Sequence, residues 1–276
     1  MFSFTLNFIL YAVVHTIAGF MLLLWLWRML ACTGQPRWHA VIFALLYGYC
    51  TFGVAKIIFE VFKAHHRIDP IQLINPMYYL QPGFWGWMLS FLPLSFLYPY
   101  ITRLKRVEFF CALALSMPIV VFFQKMGCLV AGCCVGVPSD LPWAFAYPTY
   151  WGSPVYGPRV HPVPIYDALF MIVIFFIIKA LDRREHQRPF LYIWYLGFYS
   201  FSRFLTEMVR PISSNGLSNS QKFELVTIAG ALLVLTVGRR FWRYLLSPSF
   251  LPVLTPRPYR VTTNDENFQT RECLKW

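Results

Sequence analysis

The chain is poor in charge, and poorest in acid. Only 13% of its 276 residues are Asp, Glu, Lys or Arg, with 12 acidic residues against 24 basic ones. Soluble domains carry about 25% charged residues, so this chain lacks the polar complement that would cover a water-facing globule. It has no Walker-type phosphate loop and no dinucleotide-binding glycine turn, and no soluble cofactor is expected. It also has no internal repeat and no low-complexity tract, which excludes a solenoid.

Apolar residues fill that space: 58% of the chain is hydrophobic and 19% aromatic. Crossing a hydrocarbon core takes about 20 apolar residues, and seven runs approach that length, near 4–27, 39–62, 83–101, 107–127, 164–181, 189–209 and 223–246. The expected fold is an all-α polytopic membrane protein of about seven transmembrane helices. Residues 1–246 form a single transmembrane domain with a long loop at 137–163, and 247–276 a short tail rich in Pro, Arg, Thr and Asn. The first run has no basic residue before it and is expected to stay as a span, not to be cleaved as a leader.

The formal net charge of +12 would suggest nucleic acid in a soluble protein. Here the cations lie mostly between apolar runs, and no nucleic-acid partner is expected. One set of flanks, from Arg28 and Arg37 through Arg183 and Arg184 to Arg243, is far more basic than the other, which holds Lys63, Arg67, Arg159, Arg210 and Lys222. The positive-inside rule then places the N-terminus outside and the C-terminus in the cytoplasm.

Three cations belong to no loop or flank: Lys56, Lys125 and Arg203. Each costs about 2.5–3.5 kcal/mol at a helix centre on insertion scales. With the topology above, all three reach the outer half of the bilayer, level with Arg210 and with Arg159 and His161 of the long outer loop. Glu60 follows Lys56 by four residues; Glu207 follows Arg203 by four and precedes Arg210 by three, spacings that share a helix face. Two readings stand: long cations reaching individually to the interface, or a cationic pocket that binds phosphate through guanidinium forks. Cations on three helices favour the pocket. The loop, with its Pro, Trp and Tyr content, reads as an ordered lid in the interface, and His161 offers it a base, ligand or donor.

Seven cysteines occur, and only Cys128, Cys133 and Cys134 cluster, in "KMGCLVAGCCVG". The spacing is not a usual zinc pattern, and no metal is expected. A disulfide from Cys128 to Cys133 or Cys134 is one alternative. The other is close packing where a helix breaks, with Gly127, Gly132 and Gly136 admitting backbone or ligand.

The ordered segments "YGYCTFGVAKIIFEVF", "KMGCLVAGCCVG", "PWAFAYP", "HPVPIYDAL" and "YSFSRFLTEMVRP" resemble prolipoprotein diacylglyceryl transferase, a bacterial inner-membrane family. The resemblance implies seven spans, an outside N-terminus and location in the cell inner membrane. It also implies transfer of diacylglyceryl from phosphatidylglycerol, or another anionic phospholipid, to a lipobox cysteine thiol of a prolipoprotein signal peptide. By position, Arg203, Glu207, Arg210 and His161 would be catalytic, and Lys56, Lys125, Arg159, Tyr166 and Gly132 would bind substrate. The chain departs from the family pattern at Trp85 in place of His, at Lys56 and Lys125 in place of Arg, and at Asp167 in place of Glu. It also departs at Cys128 and Ala131-Gly132-Cys133, where polar side chains are expected. A non-catalytic lipid-binding or assembly protein on the same fold, and an envelope thiol oxidoreductase, are the alternative functions.

Overall fold

The computed structural model describes residues 2–32, 35–49, 84–147, 149–150, 153–154, 158–211 and 216–246. Lys56 and Glu60, and the tail from 247, lie outside the described residues. Eight α-helices are described: α1 (Phe2–Cys32), α2 (Trp38–Gly48), α3 (Phe84–Ile101), α4 (Arg106–Ala131), α5 (Val163–Asp182), α6 (Leu191–Glu207), α7 (Asn219–Thr236) and α8 (Arg239–Leu246). A 3-10 helix, Glu185–Phe190, leads into α6, and the only sheet among the described residues is a two-residue antiparallel ladder, Thr149–Tyr150 with Ser153–Pro154.

Among the described residues three helices are long and apolar enough to cross a membrane: Leu10–Ala31, Arg106–Ala131 and Val163–Asp182. A fourth crossing arises if α7 and α8 count as one span, but these two are bent by 92°. The run at 223–246 therefore does not form the single straight helix its length suggests. The N–H groups of Val237 and Gly238 both bond to the Leu233 carbonyl, at 3.0 and 2.9 Å, which closes α7. The basic, aromatic α8 then turns aside; its Trp242 Nε1 donates to the Pro189 carbonyl at 2.6 Å, and Arg239 and Arg243 lie 5.8 and 5.6 Å from the Phe190 ring centroid. An arginine-rich helix gains more from such contacts at the interface than from continuing through hydrocarbon.

The chain divides into two compact units. One comprises Met1–Leu22 with Phe110–Val253, the other Leu23–Phe109 with Leu254–Trp276. Within the second, α2 is tied to α3 by His39 and Tyr98: His39 Nδ1 lies 3.0 Å from the Tyr98 hydroxyl, which also reaches the His39 carbonyl at 3.2 Å. Phe43 packs edge-on against both Tyr98 and Phe109, so apolar burial encloses the polar contact.

In the first unit, α6 packs along both α5 and α7. The spacing of Tyr192, Tyr195 and Tyr199 places them on one helical face, and their rings stack in succession, with Phe110 of α4 stacked on Tyr192. Leu113, Met117, Met171 and Ile178 complete a core that is essentially inaccessible. On the other side of α5, Leu169, Val173 and Phe176 are exposed, and so are Val226 and Leu233 on α7, as on helices that face lipid. A capping box starts α7: the Ser218 hydroxyl accepts from Gln221 N–H at 3.1 Å, and the Gln221 side chain accepts from Ser218 N–H at 2.9 Å.

Candidate functional site

The first unit holds a chain of charges shared among three helices. Asp167, one turn into α5 and 1% exposed, receives Lys125 Nζ of α4 at 2.6 Å and Arg203 Nη1 of α6 at 3.0 Å, both on Oδ2. Its other oxygen accepts from the Thr206 hydroxyl at 2.7 Å. Arg203 also bonds Glu207 at 3.3 Å, and Glu207 bonds Arg210 at 3.0 Å. The i,i+4 and i,i+3 spacings of α6 make this second half local, whereas the first half needs α4 and α5 to converge on α6. Burial costs a single ion several kcal/mol, and it becomes tolerable where partners saturate the group. Exposure rises from the middle of the chain toward both ends: the side chain of Arg203 is 4% exposed, Lys125 13% and Arg210 27%. Arg203 thus organises the centre, while Lys125 and Arg210 lie nearer its surface.

Behind Arg203 lies Glu224 of α7, fully buried. Ser200, Arg203, Glu207 and Lys125 are its electrostatic neighbours.

The segment that follows α4 is a designed turn. Gly132 has φ +67°, and Cys134, a non-glycine, has φ +59°, a conformation that a side chain adopts only when its surroundings enforce it. Cys133 N–H bonds back to the Cys128 carbonyl at 3.0 Å. Gly136 N–H then donates to the His161 carbonyl at 3.0 Å, His161 N–H to the Val137 carbonyl at 3.1 Å, and Val137 N–H to the Val209 carbonyl at 2.9 Å. A Cβ on Gly136 would stand 2.5 Å from His161 Cβ and 2.7 Å from the Val209 carbonyl oxygen. Glycine is therefore required where the turn, the loop and the end of α6 meet.

Three thiols converge within this turn: the sulfurs of Cys128, Cys133 and Cys134 all lie within 4.8 Å of one another, and all three cysteines are free. Hydrogen bonds from Cys128 and Cys133 hold the Cys134 thiol well below its ordinary pKa, helped by Lys125 and Arg210 and opposed by burial. Hydrogen bonds with Cys128 and with Cys134, together with burial, push Cys133 up.

On the loop, Trp143 Nε1 donates to the Tyr166 hydroxyl at 2.7 Å, and that hydroxyl lies 3.1 Å from His161 Nδ1. Arg159 directs Nε to the Ala144 carbonyl at 2.8 Å and Nη2 to the Pro142 and Leu141 carbonyls at 3.1 and 3.5 Å. Bridges of Val160 with Pro138 and Phe145 complete an ordered loop.

Of the residues singled out in the sequence, Lys125, Arg203, Glu207 and Arg210 are brought together. His161 and Tyr166 form a pair, Gly132 lies in the turn, and Arg159 is engaged by its own loop. Sequence reasoning passed over Asp167 and Thr206 as site residues, although Asp167 joins the two cations. The signal was present: an acid inside an apolar run carries the same cost as the cations that drew notice. Glu224 was missed for the same reason.

Apolar helices long enough to cross a bilayer, packed around a buried centre of shared ion pairs, define a helical membrane protein with a polar site inside its span. A family model described as prolipoprotein diacylglyceryl transferase matches residues 81–237, which include every residue of the charge chain and the turn. The chain is 28% identical over 120 residues to the phosphatidylglycerol-prolipoprotein diacylglyceryl transferase of Clostridium tetani, covering 42% of this chain and 48% of that protein. It is 30% identical over 125 residues to the protein of the same name from Geobacter sulfurreducens, covering 43% and 45%. With Idiomarina loihiensis, likewise so named, it shares 26% identity over 230 residues, 78% of this chain and 83% of the relative. The match thus spans about half the length of the first two relatives and most of the third. The chain belongs to the prolipoprotein diacylglyceryl transferase family.

Proposed function

We propose that this protein is a membrane-embedded transferase that moves the diacylglyceryl group of phosphatidylglycerol, or of another anionic phospholipid, to a lipobox cysteine thiol of a prolipoprotein. It would do so in the bacterial inner membrane, with seven spans, the N-terminus outside and the long loop at the outer face. The carrying observation is the chain Lys125–Asp167–Arg203–Glu207–Arg210, a buried, cation-rich centre inside the family-matched region.

In this reading the cysteine thiol loses its proton to the medium, its sulfur forms a bond to the glyceryl carbon, the carbon–oxygen bond to phosphate breaks, and glycerol phosphate leaves with the electron pair of that bond. Charge develops on the departing phosphate, where preorganised cations lower the barrier most. Among the described residues Arg210 makes one ion pair, and it is 27% exposed, so its remaining donors suit the phosphate oxygens; Lys125 adds a point charge without a fork. Arg203 is held by Asp167 and Glu207 and acts by fixing Arg210 through Glu207. The Trp143 indole can only donate, which leaves the Tyr166 proton for His161 Nδ1 and a proton on Nε2. His161 is thereby set as a donor toward a phosphate oxygen, with Tyr166 holding its ring. Gly132 lets the backbone turn past the headgroup, and Arg159 keeps the loop closed over it.

The test is the mass of a synthetic lipobox peptide incubated with the purified protein in phosphatidylglycerol vesicles. A diacylglyceryl addition is expected, and Arg210→Ala should reduce its rate by about 100-fold, the scale of losing one preorganised donor. No addition by folded protein, beside an active family enzyme, would overturn the reading and leave a lipid-binding role without turnover.

A further inference from the structure

The CxxxxCC spacing argues against a metal in one dimension, and the turn reverses that argument in three. Metal–thiolate bonds of about 2.3 Å place three sulfurs around one ion about 3.8–4.0 Å apart. Those of Cys128, Cys133 and Cys134 already lie within 4.8 Å of one another, so small side-chain rotations would close a three-sulfur ring. The backbone is shaped for this: the Cys133 N–H to Cys128 carbonyl bond folds the turn back onto α4, and the left-handed φ of +59° at Cys134 swings its thiol toward the other two. Strain at a non-glycine residue is a recurring mark of a functional position. Cys133 is buried and its neighbours are half-buried, which excludes competing water.

We infer that Cys128, Cys133 and Cys134 form a binding site for one thiophilic d10 metal ion. Three soft thiolates select Cu(I) or Zn(II) over hard oxygen-seeking cations. No His, Asp or Glu joins the trio among the described residues, so a trigonal Cu(I), or Zn(II) with an open fourth position, fits the donor set. Bound ligands must lose their protons, and a trithiolate complex of either ion is anionic. Lys125 and Arg210 lie within electrostatic reach of Cys134, so the charge is met by cations already held in place. The inference rests on the sulfur geometry and is independent of the transferase reading.

The experiment uses the full-length protein, purified in detergent, reduced, and then exposed without oxygen to Zn(II) or to Cu(I). Elemental analysis of the protein after gel filtration should find one ion per chain, and the arm that loads identifies the ion. The bound ion should also protect three thiols from maleimide, a readout on unmutated protein that does not depend on a variant folding. Cys133→Ser and Cys128→Ser should lose the ion, whereas Cys111→Ser should retain it. Reduced protein that keeps neither ion, or equal retention by Cys133→Ser and unmutated protein, would overturn the site; a disulfide within the trio that resists reduction would overturn it too.

Discussion

The two ends of the α5–α6 pair each carry an acid bonded to an arginine, and they differ in how the charges are held. At one end Arg188 Nε meets Asp182 at 3.1 Å, with side chains 20% and 11% exposed and a separation of only six positions in sequence. At the other, Asp167 is 1% exposed and shared by Lys125 and Arg203, 42 and 36 residues distant in sequence. The first is a local clamp at a helix junction, where Trp194 also donates to Gln187 at 3.1 Å and water can solvate what the pair does not. The second has no such relief, and its stability depends on three helices arriving together. Identical residue types thus make a local fastening in one place and a centre shared by three helices in the other, and the burial and sharing of the acid decide between them.

The largest expected effect tests that contrast. Asp167→Ala strands two cations in the buried centre and should cost about 3–5 kcal/mol of stability, whereas Asp182→Ala strands one cation that is 20% exposed and should cost clearly less; thermal unfolding in detergent compares them, and equal losses would erase the distinction. Next comes the meeting point of turn, loop and helix. Gly136→Ala forces a Cβ against a backbone oxygen at 2.7 Å and should destabilise by about 1–3 kcal/mol, while Gly19→Ala, with nothing within 4 Å of its added carbon, should be neutral or slightly stabilising in the same assay.

A smaller effect should separate chemistry from scaffold. Tyr166→Phe removes the partner of both Trp143 and His161 and should lower diacylglyceryl transfer about tenfold, at the foot of the range for a positioned proton-handling group, with the unfolding midpoint little changed. A matching loss of stability would make Tyr166 structural. The smallest change lies back at the clamped end: Trp242→Phe removes the bond to the Pro189 carbonyl and should cost about 1 kcal/mol, with transfer unaffected.

Helix identity was legible from composition because an apolar run in lipid has to satisfy its own backbone, and helix is the way a single segment does so. Each expected run is mainly helical over its described residues, and Arg203, Glu207 and Arg210 were paired from spacing alone, since i,i+3 and i,i+4 neighbours meet on any helix. The bend after Thr236 was not legible: hydropathy averages over the run and does not register that Gly238 ends one helix and that Trp242 has a partner at Pro189.

What the sequence determined by itself is the set of apolar helices, the presence of costly charges within them, and the local pairs along α6, because each depends on composition or on neighbours a fixed few residues apart. Tertiary structure alone decided that Asp167 joins Lys125 to Arg203, that Gly136 brings the turn against His161, and that three thiols spaced CxxxxCC converge. Those contacts link positions tens of residues apart or depend on a left-handed backbone turn, and neither distance through space nor the sign of φ is encoded in a periodicity.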